Sequence, residues 1–440
     1  MNKDPRDIIN QEPMKAHQIL VIGMCIFLNA LDGFDILAIT FAAPGIAHDW
    51  DLGPEVIGIV ISTGLIAMTI GSFTLAPLAD KIGRRRIILL CLLIMGGGMF
   101  ASAFATDIIT LSVIRFITGL GIGGMIPTIN ALSAEFSNEK RRNFSVCMMG
   151  IGYAIGGFLG GSAAAVLLSF YGWQSVFIFG GCVAFAILPV IYFLQPESIE
   201  FLITRKGETA LGQANAILRR MGHSEASHIR LPDPGLQKAG FMDLFTTGNL
   251  SQTLALTFSY FLNIMTIYYI LSWVPSIVTA LGFDKVVGTT VSVWVSVGGI
   301  IGGALFGWVA TFLDLRKLLV CLMLSTGFFV ILFGQITPEL GLLKFVGFLL
   351  GFCMYASTVG FYALLAQTFP TTLRATGTGF VVGAGRGGST IGPVITGFLM
   401  AEGMGRGGVA MVMASGSIIA ALILLGPYLN KRHSESKRAF

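Results

Sequence analysis

Long runs of apolar residues recur along the chain and are separated by short polar stretches. We count twelve of them, centred near residues 30, 67, 96, 122, 157, 184, 265, 299, 326, 355, 387 and 418. Each is close to the roughly 20 residues that a helix needs to cross a bilayer. The runs do not alternate as the strands of a membrane barrel would. The pattern predicts an all-α polytopic membrane protein with twelve transmembrane helices.

A single polar and charged stretch, residues 196–249, leaves six apolar runs on either side. It predicts a cytoplasmic linker, with short surface helices, between an N-terminal six-helix bundle at 17–195 and a C-terminal one at 250–429. Residues 1–16 and 430–440 are expected to be cytoplasmic tails. The first of these lacks the short apolar core of a secretory signal. The expected architecture is therefore two six-helix halves.

Composition and charge agree with this picture. Of 440 residues, 54% are hydrophobic and 12% are charged, whereas about 25% are charged in soluble domains. Of the 28 Lys and Arg residues, 23 fall on the side of both termini, three on the other side and two inside runs. The positive-inside rule then predicts cytoplasmic termini in a cell membrane, here taken as a bacterial inner membrane. Charge placed in this way suggests no nucleic-acid partner.

Cysteine and histidine carry no sign of a metal or catalytic site. The six cysteines lie in or beside apolar runs without a C-x-x-C pair, and the five histidines have no ligand-spaced partner there. The chain also lacks a nucleophile elbow and a phosphate loop. We therefore expect no metal, no cofactor and no enzymatic activity.

Two aspartates break the first apolar run. Asp32 and Asp35 are the only charged residues between Lys15 and Asp49. A carboxylate at bilayer depth costs about 2.5–3.5 kcal/mol on insertion scales, so such residues usually face a partner or a cavity. Because they are three positions apart, they share roughly one helix face. They predict an ion- or proton-handling site.

The two halves resemble one another weakly at an offset of 231 residues. Asp32 then corresponds to Asn263 and Asp35 to Thr266, so the second half has no acid at these positions. Chance similarity between glycine-rich helices competes with a true repeat. With the six-plus-six layout, the repeat indicates a transporter whose halves alternate access to a midplane site.

The turn after the second run reads Gly71-Ser-Phe-Thr-Leu-Ala-Pro-Leu-Ala-Asp-Lys-Ile-Gly-Arg-Arg-Arg86. An ordinary positive-inside loop would explain the arginines but not the spacing of Gly71, Asp80 and Gly83. This turn resembles the signature of the major facilitator superfamily between its second and third helices. The resemblance implies the superfamily's fold and a gating role for Asp80, Gly83 and Arg84.

Arg115 lies in the fourth run, in a glycine-rich segment similar to the superfamily's fourth-helix motif. An arginine stays charged, so at depth it needs an anion. Asp32, Asp35 or a substrate carboxylate could serve, or the side chain could snorkel to the outer interface.

In the fifth run, Gly150–Gly161 predicts a helix-packing surface. It resembles the antiporter motif but lacks its proline, which argues against antiport.

The first run narrows the resemblance. Asp32-Gly-Phe-Asp35, followed by Ala42-Ala-Pro-Gly-Ile46, resembles the aromatic acid:H⁺ symporter branch, which includes benzoate, 4-hydroxybenzoate and protocatechuate permeases. The likeness extends over the chain to Phe369–Gly377 and Gly385–Pro393. By resemblance, the charged positions important for transport are Asp32, Asp35, Arg115, Glu135, Arg374 and Arg386. The gating role extends by the same resemblance to Glu135, Arg142 and Arg374. One departure is that Gly307–Phe312 lacks the family's Asp-Arg turn after the eighth span, where Asp314 and Arg316 could substitute.

An aromatic carboxylate asks for a cation and a flat apolar slot. Arg386 offers a bidentate fork among glycines that would leave an open slot for the ring, although it could instead form a structural interhelical ion pair. The remaining cavity candidates are aromatic residues for the ring and polar ones for ring hydroxyls: Tyr268, Trp273, Tyr355, Tyr362, Asn263, Gln367 and Ser389.

The sequence therefore predicts a monomeric secondary transporter that imports a small aromatic carboxylate with protons, driven by the proton gradient across the lipid bilayer. Asp32 and Asp35 are its expected proton site. The alternatives are transport of another solute, such as a sugar, a dicarboxylate or a drug, or a solute sensor that moves nothing.

Overall fold

The described part of the chain is helical. The computed structural model describes residues 4–205, 209–229, 241–246, 250–310, 312–369 and 374–426. A short helix precedes six long ones: α1 (Pro5–Gln11), α2 (Ala16–Asp49), α3 (Pro54–Ile82), α4 (Arg84–Ala103), α5 (Ile108–Glu135), α6 (Arg142–Phe170) and α7 (Gln174–Leu194). Two short helices, α8 (Ile199–Arg205) and α9 (Ala210–Met221), and a 3-10 turn at Phe241–Phe245 follow. The second six are α10 (Leu250–Ala280), α11 (Lys285–Val309), α12 (Leu315–Gln335), α13 (Leu340–Thr368), α14 (Arg374–Ala401) and α15 (Arg406–Leu425).

The long helices suit a membrane. Within the described residues, eleven of them are long and apolar enough to cross one. The twelfth, α14, has 28 residues but carries Arg386 and many glycines. At 1.5 Å per residue it is about 42 Å long, more than the hydrocarbon core requires. The predicted fold class, an all-α polytopic membrane protein with six long helices on either side of a linker, is confirmed.

The chain forms two compact units. Unit 1 comprises Met1–Ala42 and Thr63–Gly235, and unit 2 comprises Ala43–Ser62 and Leu236–Phe440. The division therefore falls inside α2 and α3 as well as in the linker. We expected residues 43–62 to belong to the N-terminal bundle at 17–195, whereas they group with unit 2, which contains the bundle expected at 250–429.

Close contacts in unit 2 explain why the start of α3 groups there. The Ser62 hydroxyl donates to the Thr390 carbonyl of α14 at 2.8 Å. A Cβ on Gly58 would lie 2.7 Å from the Pro393 carbonyl oxygen. The absence of a side chain at Gly58 thus lets the two backbones touch. This close contact between α3 and α14 depends on tertiary packing, which the local sequence pattern does not indicate.

Glycines also set the helix spacing within unit 1. A Cβ on Gly152 of α6 would lie 2.6 Å from the Ile26 carbonyl oxygen of α2, and one on Gly156 would collide with the Ala30 carbonyl. The glycine-rich face predicted in the fifth run therefore packs against α2. Without side chains between them, the two backbones come close enough for van der Waals contact.

The segment before α2 packs with the linker inside unit 1. Ile8 and Ile9 of α1 are buried. His223, just after α9, lies 2.8 Å from a Glu12 carboxylate oxygen through Nδ1 and 2.9 Å from the Gln18 side-chain oxygen through Nε2. Residues expected to be a simple tail thus form part of the structured end of unit 1.

Candidate functional site

The Asp32-Gly-Phe-Asp35 motif lies in the buried part of α2, and its residues contact different neighbours. Gly33 lies against the backbone of Tyr153 on α6, because a Cβ there would collide with the Tyr153 carbonyl. The Phe34 ring contacts Phe179 of α7 edge-on, with centroids 5.7 Å apart. Packing on both sides therefore fixes the rotation of α2 and directs Asp35 towards α5.

Asp35 and Arg115 form a buried ion pair. Arg115 Nη1 donates to Asp35 Oδ1 at 2.8 Å, and Nη2 donates to the Asp35 carbonyl oxygen at 2.9 Å. The side chains are 1% and 3% exposed. The Phe177 ring lies 5.8 Å from the guanidinium carbon, within cation–π range. Of the partners that the sequence left open for Arg115, the structure shows Asp35.

Asp32 lies one turn before Asp35 and is completely buried. It is close enough to Cys91 of α4 for the two groups to interact electrostatically. Two acidic side chains are therefore enclosed in unit 1 within one turn of helix, and Arg115 bonds the second of them. Such a group of charges responds to gain or loss of a proton, because each charge stabilises or opposes the next.

A second charged group lies at the turn between α3 and α4; we call it the Arg84 cluster (Asp80, Arg84, Glu135, Glu197 and Ser198). Arg84 pairs with Glu135 at the end of α5 and lies 3.6 Å from Asp80. The Ser198 hydroxyl donates to Glu135 at 2.6 Å. The cluster therefore joins the turn, the end of α5 and the start of the linker. The gating role of Asp80, Gly83, Arg84 and Glu135 stays a prediction.

Glu197 and Ser198 are the members of the cluster that were not predicted from the sequence. Glu197 lies against the start of α4. One of its carboxylate oxygens accepts hydrogen bonds from the backbone nitrogens of Arg84, at 2.8 Å, and Arg85, at 3.2 Å. Gly83 precedes α4 with φ 108° and caps it with no side chain, so the free N–H groups of the helix start need another acceptor. The signal in the sequence was Pro196-Glu-Ser198, at the point where the last apolar run of the first half ends.

Replacing Glu197 with alanine should lower the stability of the protein by about 1–2 kcal/mol, as loss of a helix cap does. Both bonded N–H groups would lose their acceptor. The measurement is thermal unfolding of the detergent-solubilised protein. Glu225→Ala is the matched control, because Glu225 forms an exposed pair with Arg219, and such pairs contribute little. Equal melting temperatures for the two variants would contradict the capping role.

In unit 2, Arg386 of α14 lies beside a group of tyrosines, which we call the tyrosine cluster (Tyr260, Tyr268, Tyr355 and Tyr362). Tyr260 is close enough to Arg386, Tyr268 and Tyr362 for electrostatic interaction, and Tyr355 is close enough to Tyr268. Tyr268, Tyr355 and Tyr362 were predicted here, whereas Tyr260 was not. The arrangement places the Arg386 cation within electrostatic range of Tyr260, one member of the cluster.

The other residues proposed for the cavity have different surroundings. Asn263 accepts from the Ser417 hydroxyl at 2.9 Å and donates to Ser357 at 3.3 Å, which joins α10 to α15 and α13. Trp273 is buried and donates to the Pro393 carbonyl at 3.3 Å. Both side chains are thus held by contacts within unit 2, and a role for Asn263 or Trp273 in binding substrate stays a prediction.

The two remaining polar candidates are Ser389, close to Arg386 in α14, and Gln367, at the end of α13. The Ser389 hydroxyl donates to the Arg386 carbonyl at 2.6 Å, a bond within one helical turn, and the side chain is buried. Gln367 is exposed in the last turn of α13. Their contacts with ring hydroxyls also stay predictions.

The glycines around Arg386 do not leave the open slot that we expected from the sequence. A Cβ on Gly385 would collide with the Tyr260 ring, and one on Gly388 would collide with the Phe261 carbonyl. These positions are occupied by α10, because helix packing uses the space that glycine leaves. Among the residues that the structure describes, no group of His, Cys, Asp and Glu could hold a metal ion.

Comparison with known proteins identifies the family. The family model described as the Major Facilitator Superfamily matches residues 25–302 and 256–439. The chain belongs to the major facilitator superfamily. It is a multi-pass membrane protein of a transporter family, not an enzyme.

Relatives of the chain span nearly its whole length. It is 30% identical to the gallate transporter of Pseudomonas putida, over 96% of this chain and 94% of that protein. It is 28% identical to the 4-hydroxybenzoate transporter PcaK of Pseudomonas aeruginosa, over 96% of each. The inward open conformation of the xylose transporter XylE from E. coli has a TM-score of 0.73 at 16% identity, covering 93% of this chain and 95% of that one. The likeness to the xylose transporter shows the fold alone. The predicted resemblance to the aromatic acid branch of the superfamily is confirmed.

Further charged positions of the superfamily pattern lie at the ends of helices. Arg142 begins α6 and donates to the Ala134 carbonyl of α5 at 3.2 Å. Arg374 begins α14, and its side chain lies outside the described residues. Asp314, in the segment that departs from the family, caps α12 by accepting from the Lys317 backbone nitrogen at 2.9 Å. Arg316 donates to the Leu424 carbonyl at 2.6 Å. The two therefore stabilise helix ends in unit 2.

Proposed function

We propose that this protein imports a small aromatic carboxylate of the benzoate or hydroxybenzoate type by proton symport through alternating access. The observation that carries the proposal is Arg386 beside the tyrosine cluster. A guanidinium binds a carboxylate through two parallel hydrogen bonds, and tyrosine rings offer apolar faces to a flat ring. The names of the gallate and 4-hydroxybenzoate transporters, similar over 96% of this chain, support the same substrate class.

The acidic residues support proton coupling. Asp32 and Asp35 are buried in unit 1, and Arg115 bonds Asp35. A proton arriving on Asp35 would weaken that bond, and the change would favour whichever conformation leaves Arg115 other partners. Coupling then follows from the different proton affinities of the inward and outward states. The proton gradient supplies the driving force, and no cofactor takes part.

The protein is proposed to act as a monomer in a bacterial inner membrane, with both termini in the cytoplasm. The excess of Lys and Arg on the side of the termini, 23 against three, supports this orientation. In that orientation the Arg84 cluster lies at the cytoplasmic surface. Its charged contacts would then be made and broken as the transporter changes state.

Uptake into proteoliposomes tests the function. Labelled benzoate and 4-hydroxybenzoate should accumulate when the outside is acidic, and a protonophore should abolish accumulation. Xylose and succinate serve as a competing sugar and a dicarboxylate. Accumulation of either of these instead, or accumulation that persists with the protonophore, would contradict the proposal.

Arg386→Gln should raise the half-saturating concentration of the aromatic acid about tenfold to a hundredfold, because a charge-assisted hydrogen bond contributes about 1.5–3 kcal/mol. Arg386→Lys should recover part of the loss, since it keeps the charge but not the fork. Arg406→Gln is the control, because Arg406 donates to the Ile336 carbonyl at the far end of α12. Equal effects at positions 386 and 406 would argue against carboxylate binding at Arg386.

A further inference from the structure

Tyr260 and Tyr362 form a hydroxyl pair between α10 and α13. Their phenolic oxygens are 3.4 Å apart, with Tyr260 donating. The Tyr260 ring is 4% exposed and is held edge-on against Phe361 at 5.1 Å between centroids. Tyr362 is 45% exposed. One member of the pair is thus fixed by packing and the other is accessible.

Because the two hydroxyl groups are far apart for a hydrogen bond, each can also bond a third hydroxyl group. Bonds between hydroxyl groups are usually about 2.7–2.8 Å long, so a contact at 3.4 Å is weak. Each phenol can donate one hydrogen bond and accept others. Within the described residues, the contact between Tyr260 and Tyr362 is the hydrogen bond that each hydroxyl makes. A phenolic hydroxyl from a ligand could therefore bond either member at little cost to the pair.

The pair also lies at the right level for a ligand held by Arg386. Tyr260 is ten residues into α10 and Arg386 twelve residues into α14, which correspond to about 15 Å and 18 Å along helices that pack together. The side of the Tyr260 ring touches Gly385, the residue before Arg386. Cε1, one of the ring atoms that a Cβ on Gly385 would meet, is bonded to the carbon that carries the hydroxyl, and this hydroxyl lies beside Tyr362. The hydroxyl pair therefore lies close to the α14 backbone at Gly385.

We propose that Tyr260 and Tyr362 bind a ring hydroxyl of the substrate while Arg386 holds its carboxylate, so that the transporter prefers phenolic acids to unsubstituted aromatic acids. This inference rests on the proposed transport of aromatic carboxylates. A substrate whose carboxylate is held by the Arg386 side chain would place its ring hydroxyl at the pair. The two tyrosines are then the residues that set specificity within the substrate class.

The expected preference is moderate. When the substrate ring has no hydroxyl, the two tyrosines stay bonded to each other and no polar group is left without a hydrogen-bond partner. The large free-energy penalty for an unpaired buried donor therefore does not apply. The gain is about one net hydrogen bond. We therefore expect roughly a threefold to tenfold lower half-saturating concentration for 4-hydroxybenzoate than for benzoate.

Tyrosine-to-phenylalanine variants test the pair without removing a ring. Half-saturating concentrations for benzoate and 4-hydroxybenzoate are measured in the wild type, Tyr260→Phe, Tyr362→Phe and the control Tyr171→Phe. Tyr171 follows α6 in unit 1 and is 67% exposed. The ratio of the two concentrations should fall towards one in both variants at the pair and should keep its wild-type value in the control.

The outcomes separate this inference from the function on which it rests. Suppose that the wild type transports both acids but their half-saturating concentrations are equal, or that neither variant changes the ratio of the two. The hydroxyl pair then does not bind the ring hydroxyl of the substrate, and the proposed transport stands. If the wild type transports neither acid, both proposals fail. Size-exclusion profiles and thermal melting of each variant show whether an altered ratio comes from folded protein.

Discussion

Asp35→Asn is expected to abolish uptake driven by a pH gradient and to destabilise the protein by about 3–5 kcal/mol. The large effect follows from burial, because Arg115 stays charged and would lose its anion inside unit 1. Arg115→Gln should cost a similar amount by leaving Asp35 without its cation. Thermal unfolding and uptake are measured on the same preparations.

The double variant Asp35→Asn with Arg115→Gln separates stability from coupling. It leaves neither Asp35 nor Arg115 as a buried charge without the other, so most of the stability should return. Uptake against a gradient should remain absent, because the proposed proton acceptor is gone. Gradient-driven uptake by the double variant would show that Asp35 does not carry the proton.

Asp107→Asn is the matched control for removal of one carboxylate from unit 1. Asp107 is exposed and caps α5, accepting at 2.9 Å from the backbone nitrogens of Ile109 and Thr110. The hydrogen bond from the Thr110 side chain, with those from the backbone, holds the pKa of Asp107 below its ordinary value, so the wild-type group is charged at assay pH. Asparagine caps helices about as well as aspartate. Both uptake and melting temperature should change little.

Gly156→Val should prevent α6 from packing on α2 and should destabilise the protein by about 3 kcal/mol or more. A Cβ at this position collides with the backbone carbonyl of Ala30, and backbone cannot move aside as a flexible side chain can. The displacement would also disturb the Asp32–Asp35 segment one turn further along α2. The measurement is the fraction of folded protein after extraction, together with its melting temperature.

Gly150→Val in the same helix is the control. A Cβ there has nothing within 4 Å, and the cost of a β-branched residue in a helix is shared by both variants. The difference between the two therefore reports the helix contact alone. Equal losses at positions 150 and 156 would mean that α6 can be displaced from α2 without penalty.

Particular residues show how far sequence reasoning reached into the site. Asp32 and Asp35 were recognisable because a charge in an apolar run is costly wherever the helix turns. Arg115 was recognisable for the same reason, but its partner was not, since Asp35 is 80 residues away and the choice depends on how α2 and α5 are rotated. Glu197 and Tyr260 were assigned no role from the sequence, because the role of each depends on contact with a distant part of the chain. Their importance comes from what approaches them, which is the start of α4 in one case and Gly385 in the other.

By itself the sequence determined the membrane class, the twelve long helices, the polar linker and the family. These properties are sums over neighbouring residues: apolar length, charge sorting and short motifs. Tertiary structure decided which groups meet, because a contact between helices depends on their rotation and distance, and glycines at a few positions set both. It therefore assigned Asp35 to Arg115, Tyr260 to Tyr362 and residues 43–62 to the second compact unit.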